Sequence, residues 1–235
     1  MTPLVLLPGL MCDAGLWQNM LPQLEAIGPL TFGDLSQGNS VDEMASSVLE
    51  NCPERFILVG FSMGGFVARE IARRVPERVQ GIILIATSCE ADTPAQMMFK
   101  HKVAEALQQT RGAFRGLGHR AIQHSLGRQH EDDPQLVQQI LDMSLRMGSE
   151  AYIRQLVMER NSDRHLLNEI RCPTLVVAAA DDRMRTLTES RTLSELIPDA
   201  QLRVVEDSGH MIPLEQPALL ATLLHDWIDG YISCG

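Results

Sequence analysis

Three side-chain types in this chain stand where they could together transfer an acyl group: a serine, a histidine and a pair of aspartates. Ser62 is the centre of Gly60-Phe61-Ser62-Met63-Gly64, with Gly65 behind it. The apolar run Phe56-Ile57-Leu58-Val59 precedes it, and the helix-like run from Phe66 to Arg74 follows. A strand, a sharp turn with serine at its tip and a helix form the context in which a serine Oγ is presented as a nucleophile. Gly60 and Gly64 lack the Cβ atoms that would clash where the backbone reverses so tightly. The helix starting beside the serine aims free N–H groups at any negative charge that develops there. A glycine-rich turn with a surface serine would read the same in isolation, so its partners decide the matter.

A serine hydroxyl is a weak nucleophile at neutral pH; it needs a base, and the base needs an orienting carboxylate. With this kind of turn the chain order is serine, acid, histidine, the last two on loops at the carboxyl ends of later strands. Val176-Val177-Ala178-Ala179-Ala180 runs into Asp181-Asp182, and Leu202 to Val205 runs into Glu206-Asp207-Ser208-Gly209-His210. Of seven histidines, His210 alone follows a late strand on a Ser-Gly turn. His101, His119, His124, His130 and His165 fall in the middle of the chain, as on solvated helix faces, and His225 falls in the final helix.

Strand geometry does not choose between Asp181 and Asp182, because a one-residue shift reverses which side chain faces the site. Asp207 reads as turn chemistry. Glu90 and Asp92, after an earlier strand, are a less direct source of the acid. Acyl transfer also needs donors for an oxyanion. One is the N–H of Met63, after the nucleophile; the second is expected from Leu10, in the loop that follows Pro8-Gly9.

The elements that must hold these residues follow a β-loop-α rhythm. Continuous apolar runs at Leu4 to Leu7, Pro29 to Phe32, Phe56 to Val59 and Val79 to Ala86 read as strands buried on both faces of a parallel sheet. Helices are expected over Leu16 to Ile27, over Val41 to Asn51 with Ser40 as its cap, and after Ser62 until Pro76. The rhythm breaks at residue 89. Up to residue 168 there is no strand pattern, only helical stretches near 93–110, 112–128, 134–147 and 149–161 carrying Met97, Met98, Met143, Met147 and Met158. It resumes with Thr174 to Ala180, a helix from Thr186 to Leu196, Leu202 to Val205, and a closing helix from Glu215 to Tyr231. The expected fold class is α/β: a mostly parallel six-stranded sheet with helices on both faces. Residues 1–88 and 169–235 would form a discontinuous core, and 89–168 an inserted helical cap over the strand ends.

Composition excludes other classes. The chain has 235 residues, enough for one α/β domain with an insertion, and a formal charge of −10, the wrong sign for nucleic-acid binding. No apolar run approaches the ~20 residues of a membrane span. Leu4 to Leu7 lacks a basic leader and ends in Pro-Gly, unlike a signal peptide. Cys12, Cys52, Cys89, Cys172 and Cys234 are odd in number and lack metal-ligand spacing. A reducing cytoplasm is therefore the expected location, without disulfides or a zinc site.

With these residues in hand, the chain resembles the α/β-hydrolase superfamily, specifically its small members with a helical cap. Leu6-Leu7-Pro8-Gly9 with Trp17 looks like the family's oxyanion loop, with Pro-Gly in place of the usual His-Gly. Asp34-Leu35-Ser36-Gln37-Gly38-Asn39-Ser40 resembles its following turn, Cys172 to Val177 the strand before its acid, and Gly209-His210 with Glu215-Gln216-Pro217 its histidine loop. Counted along that strand from Pro173, the resemblance puts the acid on Asp182. Ala179 replaces the family's strand-end glycine, the proline common after the acid is absent from Arg183-Met184-Arg185-Thr186, and the N-terminal antiparallel strands of many members are missing.

The expected protein is a carboxylesterase-like serine hydrolase with Ser62, Asp182 and His210 as triad and Leu10 and Met63 N–H as oxyanion donors. It needs neither cofactor nor metal, and its partner is a small molecule. A methionine-lined cap would give an adaptable, apolar pocket for small or medium acyl chains. Arg183 and Arg185 could meet a substrate carboxylate, although exposed strand-end arginines are the plainer interpretation. Lactonase (enol-lactonase included), thioesterase and carbon–carbon hydrolase chemistry use the same triad, and a catalytically slow ligand-binding signalling protein could keep it. Serine at position 62 argues against the branch with an aspartate nucleophile, and so against dehalogenase or epoxide-hydrolase chemistry.

Overall fold

A computed structural model describes residues 1–110 and 112–232, so Cys234 lies outside the described residues. Six strands, β1 (Leu4–Leu7), β2 (Leu30–Phe32), β3 (Phe56–Phe61), β4 (Val79–Ile85), β5 (Thr174–Ala179) and β6 (Gln201–Val205), form one sheet in the order β2-β1-β3-β4-β5-β6. Every adjacent pair is parallel. The chain leaves β1 toward β2 and returns on the other side of β1 to form β3, so the strand order reverses between β1 and β3. In an open parallel sheet the crevice beyond such a reversal is where ligands bind. The loops carrying Leu10 and Ser62 leave the sheet there.

Because successive side chains alternate across a strand, each central strand feeds two cores. Leu4, Leu6, Ile57 and Val59 pack with Leu24, Leu220 and Leu224, whereas Val5, Leu7 and Leu58 pack with Met44, Val67 and Leu193. The first layer is supplied by a 3-10 turn (Ala14–Met20) with α1 (Leu21–Ile27), and by α8 (Ile212–Glu215) with α9 (Pro217–Ile232). The second is supplied by α2 (Val41–Leu49), α3 (Met63–Arg74) and α7 (Leu187–Leu196). Ser40 caps α2 by accepting from Glu43 N–H, and Thr186 caps α7 with Glu189 reaching back, as the sequence pattern requires.

Between β4 and β5 lie α4 (Pro94–Gln109), α5 (His119–Ser125) and α6 (Pro134–Val157), then a 3-10 turn (Arg164–Glu169). Gly148, at φ 79° and ψ 169°, breaks α6 at the boundary expected between its two halves. The helix expected over 112–128 is confined to α5, because Gly112 and Gly116 adopt φ of 142° and 77°, outside helical space. Leu16 to Ile27 likewise divides into the tighter 3-10 turn and a short α-helix.

Candidate active site

Ser62 ends β3 and opens α3 at φ 51° and ψ −112°, a conformation L-residues seldom occupy. Its surroundings over-determine it. Ser62 N–H donates to Ile85 O at 2.9 Å, and Ser62 O accepts from Thr87 Oγ1 at 2.7 Å and Gly65 N–H at 3.0 Å. A Cβ at Gly64 would stand 2.4 Å from Leu7 O, which is why this turn tolerates only glycine there. Held in this way, strain of ~1–3 kcal/mol persists at the serine.

His210 follows β6 on a loop and is almost wholly buried against Phe61. Its Nε2 lies 2.9 Å from Ser62 Oγ and its Nδ1 2.8 Å from Asp182 Oδ2. Asp182 Oδ1 accepts from Met184 N–H at 2.7 Å and Arg185 N–H at 2.8 Å, which fixes the carboxylate plane. Asp181, by contrast, accepts from Arg128 N–H at 2.7 Å. Asp207 occupies a left-handed turn position at φ 54°, and Glu90 pairs with Arg164 at 3.1 Å.

The two backbone donors expected from sequence flank the serine: Met63 is the first residue of α3, and Leu10 lines the cavity over Ser62. Among the described residues neither N–H donates to a protein acceptor. Leu10 is held through its neighbour. Met11, at φ 56°, donates its N–H to Gln155 Oε1 at 2.9 Å, and Gln155 Nε2 donates to Leu35 O at 2.9 Å. Gln155 is fully buried in α6. A lone glutamine within a helical run carries no spacing signal, so sequence reasoning missed it.

Glu215, which the sequence placed in the histidine loop without a role, acts in a similar way. Its fully buried carboxylate accepts from Gly209 N–H at 3.0 Å and Gly127 N–H at 2.7 Å, and lies 3.0 Å from His130 Nδ1. It thereby ties the histidine loop to the segment after α5. The backbones meet so closely that a Cβ at Gly209 would stand 2.2 Å from Gly127 N.

The cavity over Ser62 has a volume of about 400 Å³ and is lined from both sides, by Phe61, His210 and Met211 and by Phe99, Leu117, Ile140 and Tyr152. None of the five methionines between β4 and β5 lines it: Met143 and Met158 are buried in packing, and Met97 and Met98 are exposed. Aromatic and branched side chains, with Met184 and Met211 from outside the insertion, provide its apolar wall instead. Cys12 also faces it, but burial, reinforced by the Asp13 charge, pushes its thiol up to about 12, so it stays protonated and is no rival nucleophile. Among the described residues no helix is long and apolar enough to cross a membrane.

A family model described as the alpha/beta hydrolase fold matches residues 29–217. The chain is 26% identical over 228 residues to the pimeloyl-[acyl-carrier protein] methyl ester esterase of Neisseria meningitidis, covering 92% of this chain and 89% of that protein. It is 27% identical to the biotin biosynthesis bifunctional protein BioHC of Cellvibrio japonicus over 96% of its own length, but spans only 47% of that longer chain. A thermophilic esterase of Thermogutta terrifontis, solved with malate bound, superposes at a TM-score of 0.88 with 24% identity, over 98% of this chain and 90% of that one.

Proposed function

The chain belongs to the alpha/beta hydrolase family, and from that premise we propose that it is a serine hydrolase that cleaves carboxylic esters through an acyl-enzyme. The observation that carries this reading is the unbroken relay from Ser62 Oγ through His210 to Asp182, at 2.9 Å and 2.8 Å, opening into a cavity. Esterase relatives that align over nearly the whole chain support the choice of ester over other acyl bonds.

In this mechanism His210 Nε2 takes the hydroxyl proton as Ser62 Oγ attacks the carbonyl carbon. The carbonyl electron pair moves onto oxygen, where the Leu10 and Met63 N–H groups receive it. Asp182 keeps the Nδ1 proton on His210 and stabilises the imidazolium. Collapse of the tetrahedral intermediate breaks the ester C–O bond, and the alcohol leaves with the proton from Nε2. Water then gives its proton to Nε2 and adds to the acyl carbon. The second collapse returns that proton to Ser62 and releases the carboxylic acid. Residues 89–168 act as the cap that closes over the acyl chain, while 1–88 with 169–235 carry the machinery.

Fluorophosphonate labelling tests the reading, with hydrolysis of p-nitrophenyl esters of increasing acyl length beside it. Wild type should label and hydrolyse. Ser62→Ala and His210→Ala should lose labelling and about 10⁴–10⁶ of turnover. A wild-type protein that neither labels nor hydrolyses any ester sinks it.

A further inference from the structure

We propose that the Ser62 cavity contains a carboxylate-binding subsite centred on Arg160, and that the natural substrate is an ester carrying a free carboxylate away from the scissile bond. The identity of the ligand as an ester rests on the hydrolase reading; the existence of the subsite does not.

Arg160 lines the cavity with its side chain only 5% exposed, yet its buried Nε–H has no acceptor among the described residues. Its Nη2 reaches Asp92 Oδ2 at 3.2 Å, and the same carboxylate oxygen is also taken by Lys100. One buried carboxylate thus serves two cations. Arg183 and Arg185 line the same cavity; they pair with Glu131 at 3.1 Å and Glu189 at 3.5 Å, and Arg183 Nε is likewise buried without an acceptor.

Counted with their partners, the four cations lining the cavity face three carboxylates, in a protein whose overall charge is −10. A buried cation short of its counter-charge is costly, and burial pushes the Arg160 guanidinium below its usual range. Asp92 opposes that shift, whereas the neighbouring positive charge of Arg185 adds to it. An arriving carboxylate supplies the missing charge and the missing acceptor together. Phe99, Leu117 and Ile140 on the same wall suit a methylene chain between that carboxylate and the ester. A half-ester of a dicarboxylic acid has this chemistry, and so does an ester of a hydroxy acid whose carboxylate lies on the alcohol side.

The test is calorimetric titration of Ser62→Ala protein, in which binding is read without turnover. Monomethyl half-esters of four- to eight-carbon dicarboxylic acids are compared with their dimethyl esters, and acetate esters of ω-hydroxy acids with their methyl esters. The carboxylate form of at least one pair should bind about 10–100-fold tighter, the range of a charge-assisted hydrogen bond. That ratio should fall to about twofold or less when Arg160→Gln is added. Whichever series shows the preference assigns the carboxylate to the acyl or the alcohol half. Should Arg160→Gln fail to fold, Arg185→Gln is read in its place and should reduce the ratio several-fold. Equal binding of charged and neutral ligands, or a preference untouched by these substitutions, overturns the subsite. Because binding is scored in a protein without its nucleophile, that outcome is distinct from a failure of wild type to hydrolyse esters.

Discussion

Asp181 and Asp182 adjoin in the chain and hold different partners. Asp182 Oδ2 meets His210 Nδ1 at 2.8 Å, whereas Asp181 Oδ2 accepts from Arg128 N–H at 2.7 Å in the segment after α5. The separation arises at the turn: Asp182 Oδ1 accepts two successive N–H groups, Met184 and Arg185, and so rotates its other oxygen to the histidine. Two chemically identical side chains thereby acquire different partners, one the His210 imidazole and the other the backbone of the helical insertion.

The two should therefore separate in a mutant pair. Asp182→Asn keeps the shape but presents an amide that favours the wrong imidazole tautomer, and should lower kcat for a p-nitrophenyl ester by about 10⁴. Asp181→Asn should leave the burst of p-nitrophenol intact and change kcat by less than about tenfold, since it weakens one surface tether. Equal losses in the two variants would contradict this division.

Gln155 holds the loop that carries Leu10, the proposed oxyanion donor, through Met11 N–H at 2.9 Å. Gln155→Ala strands Met11 N–H and Leu35 O in a buried setting, at ~1–3 kcal/mol. The loosened loop should cost about 10–100-fold in kcat with little change in KM, because in the proposed mechanism Leu10 N–H is engaged only as charge develops. Steady-state kinetics give the split. A rise in KM alone would place Gln155 in substrate binding instead.

The strands and the serine turn were legible because their signals are local. A run such as Phe56 to Phe61 is apolar on both faces, and a tight reversal demands glycine whatever surrounds it. Residues whose work depends on distant partners left no such mark. The alternation of β5 is silent on Asp181 against Asp182, because the choice is made by N–H groups beyond the strand. Gln155 meets Met11 across 144 positions, and Arg160 meets Asp92 across 68. The methionines of the insertion misled for a related reason: composition fixes how apolar the insertion is, not which face it turns to the cavity.

Arg69, wholly buried in α3, holds Asp163 through Nε at 2.7 Å and Nη2 at 2.9 Å, and donates to Ser88 O at 2.9 Å. This fork fastens the end of the insertion to the helix that follows Ser62. Asp163→Asn leaves a buried guanidinium without its counter-charge and should destabilise the protein by about 3–5 kcal/mol, or roughly 6–20 °C in Tm. The double variant Arg69→Met with Asp163→Leu should regain much of that loss in a thermal melt, since it removes both charges of the fork, while Arg73, which also reaches Asp163 at 3.2 Å, keeps its pair with Glu70 at 2.8 Å. A single variant within about 1 kcal/mol of wild type would show the pair to be dispensable.

Asp13 gives the joint between the first loop and α6 a dependence on pH. Partial burial raises its pKa, but the hydrogen bonds from Arg146 and from Gly15 N–H prevail and hold the carboxyl below its ordinary value. A group whose pKa is depressed by folding stabilises the folded state fully above its unfolded value, near ~3.9 for aspartate, and loses that contribution as pH falls through the folded value. Asp13→Asn removes the charge at every pH. The Tm gap between wild type and Asp13→Asn should therefore be constant above about pH 5 and close as the solution is acidified below it. Melts at low ionic strength from about pH 7 to pH 3 check this. A gap that widens on acidification would reverse the sign and discard the assignment of that stability to Asp13.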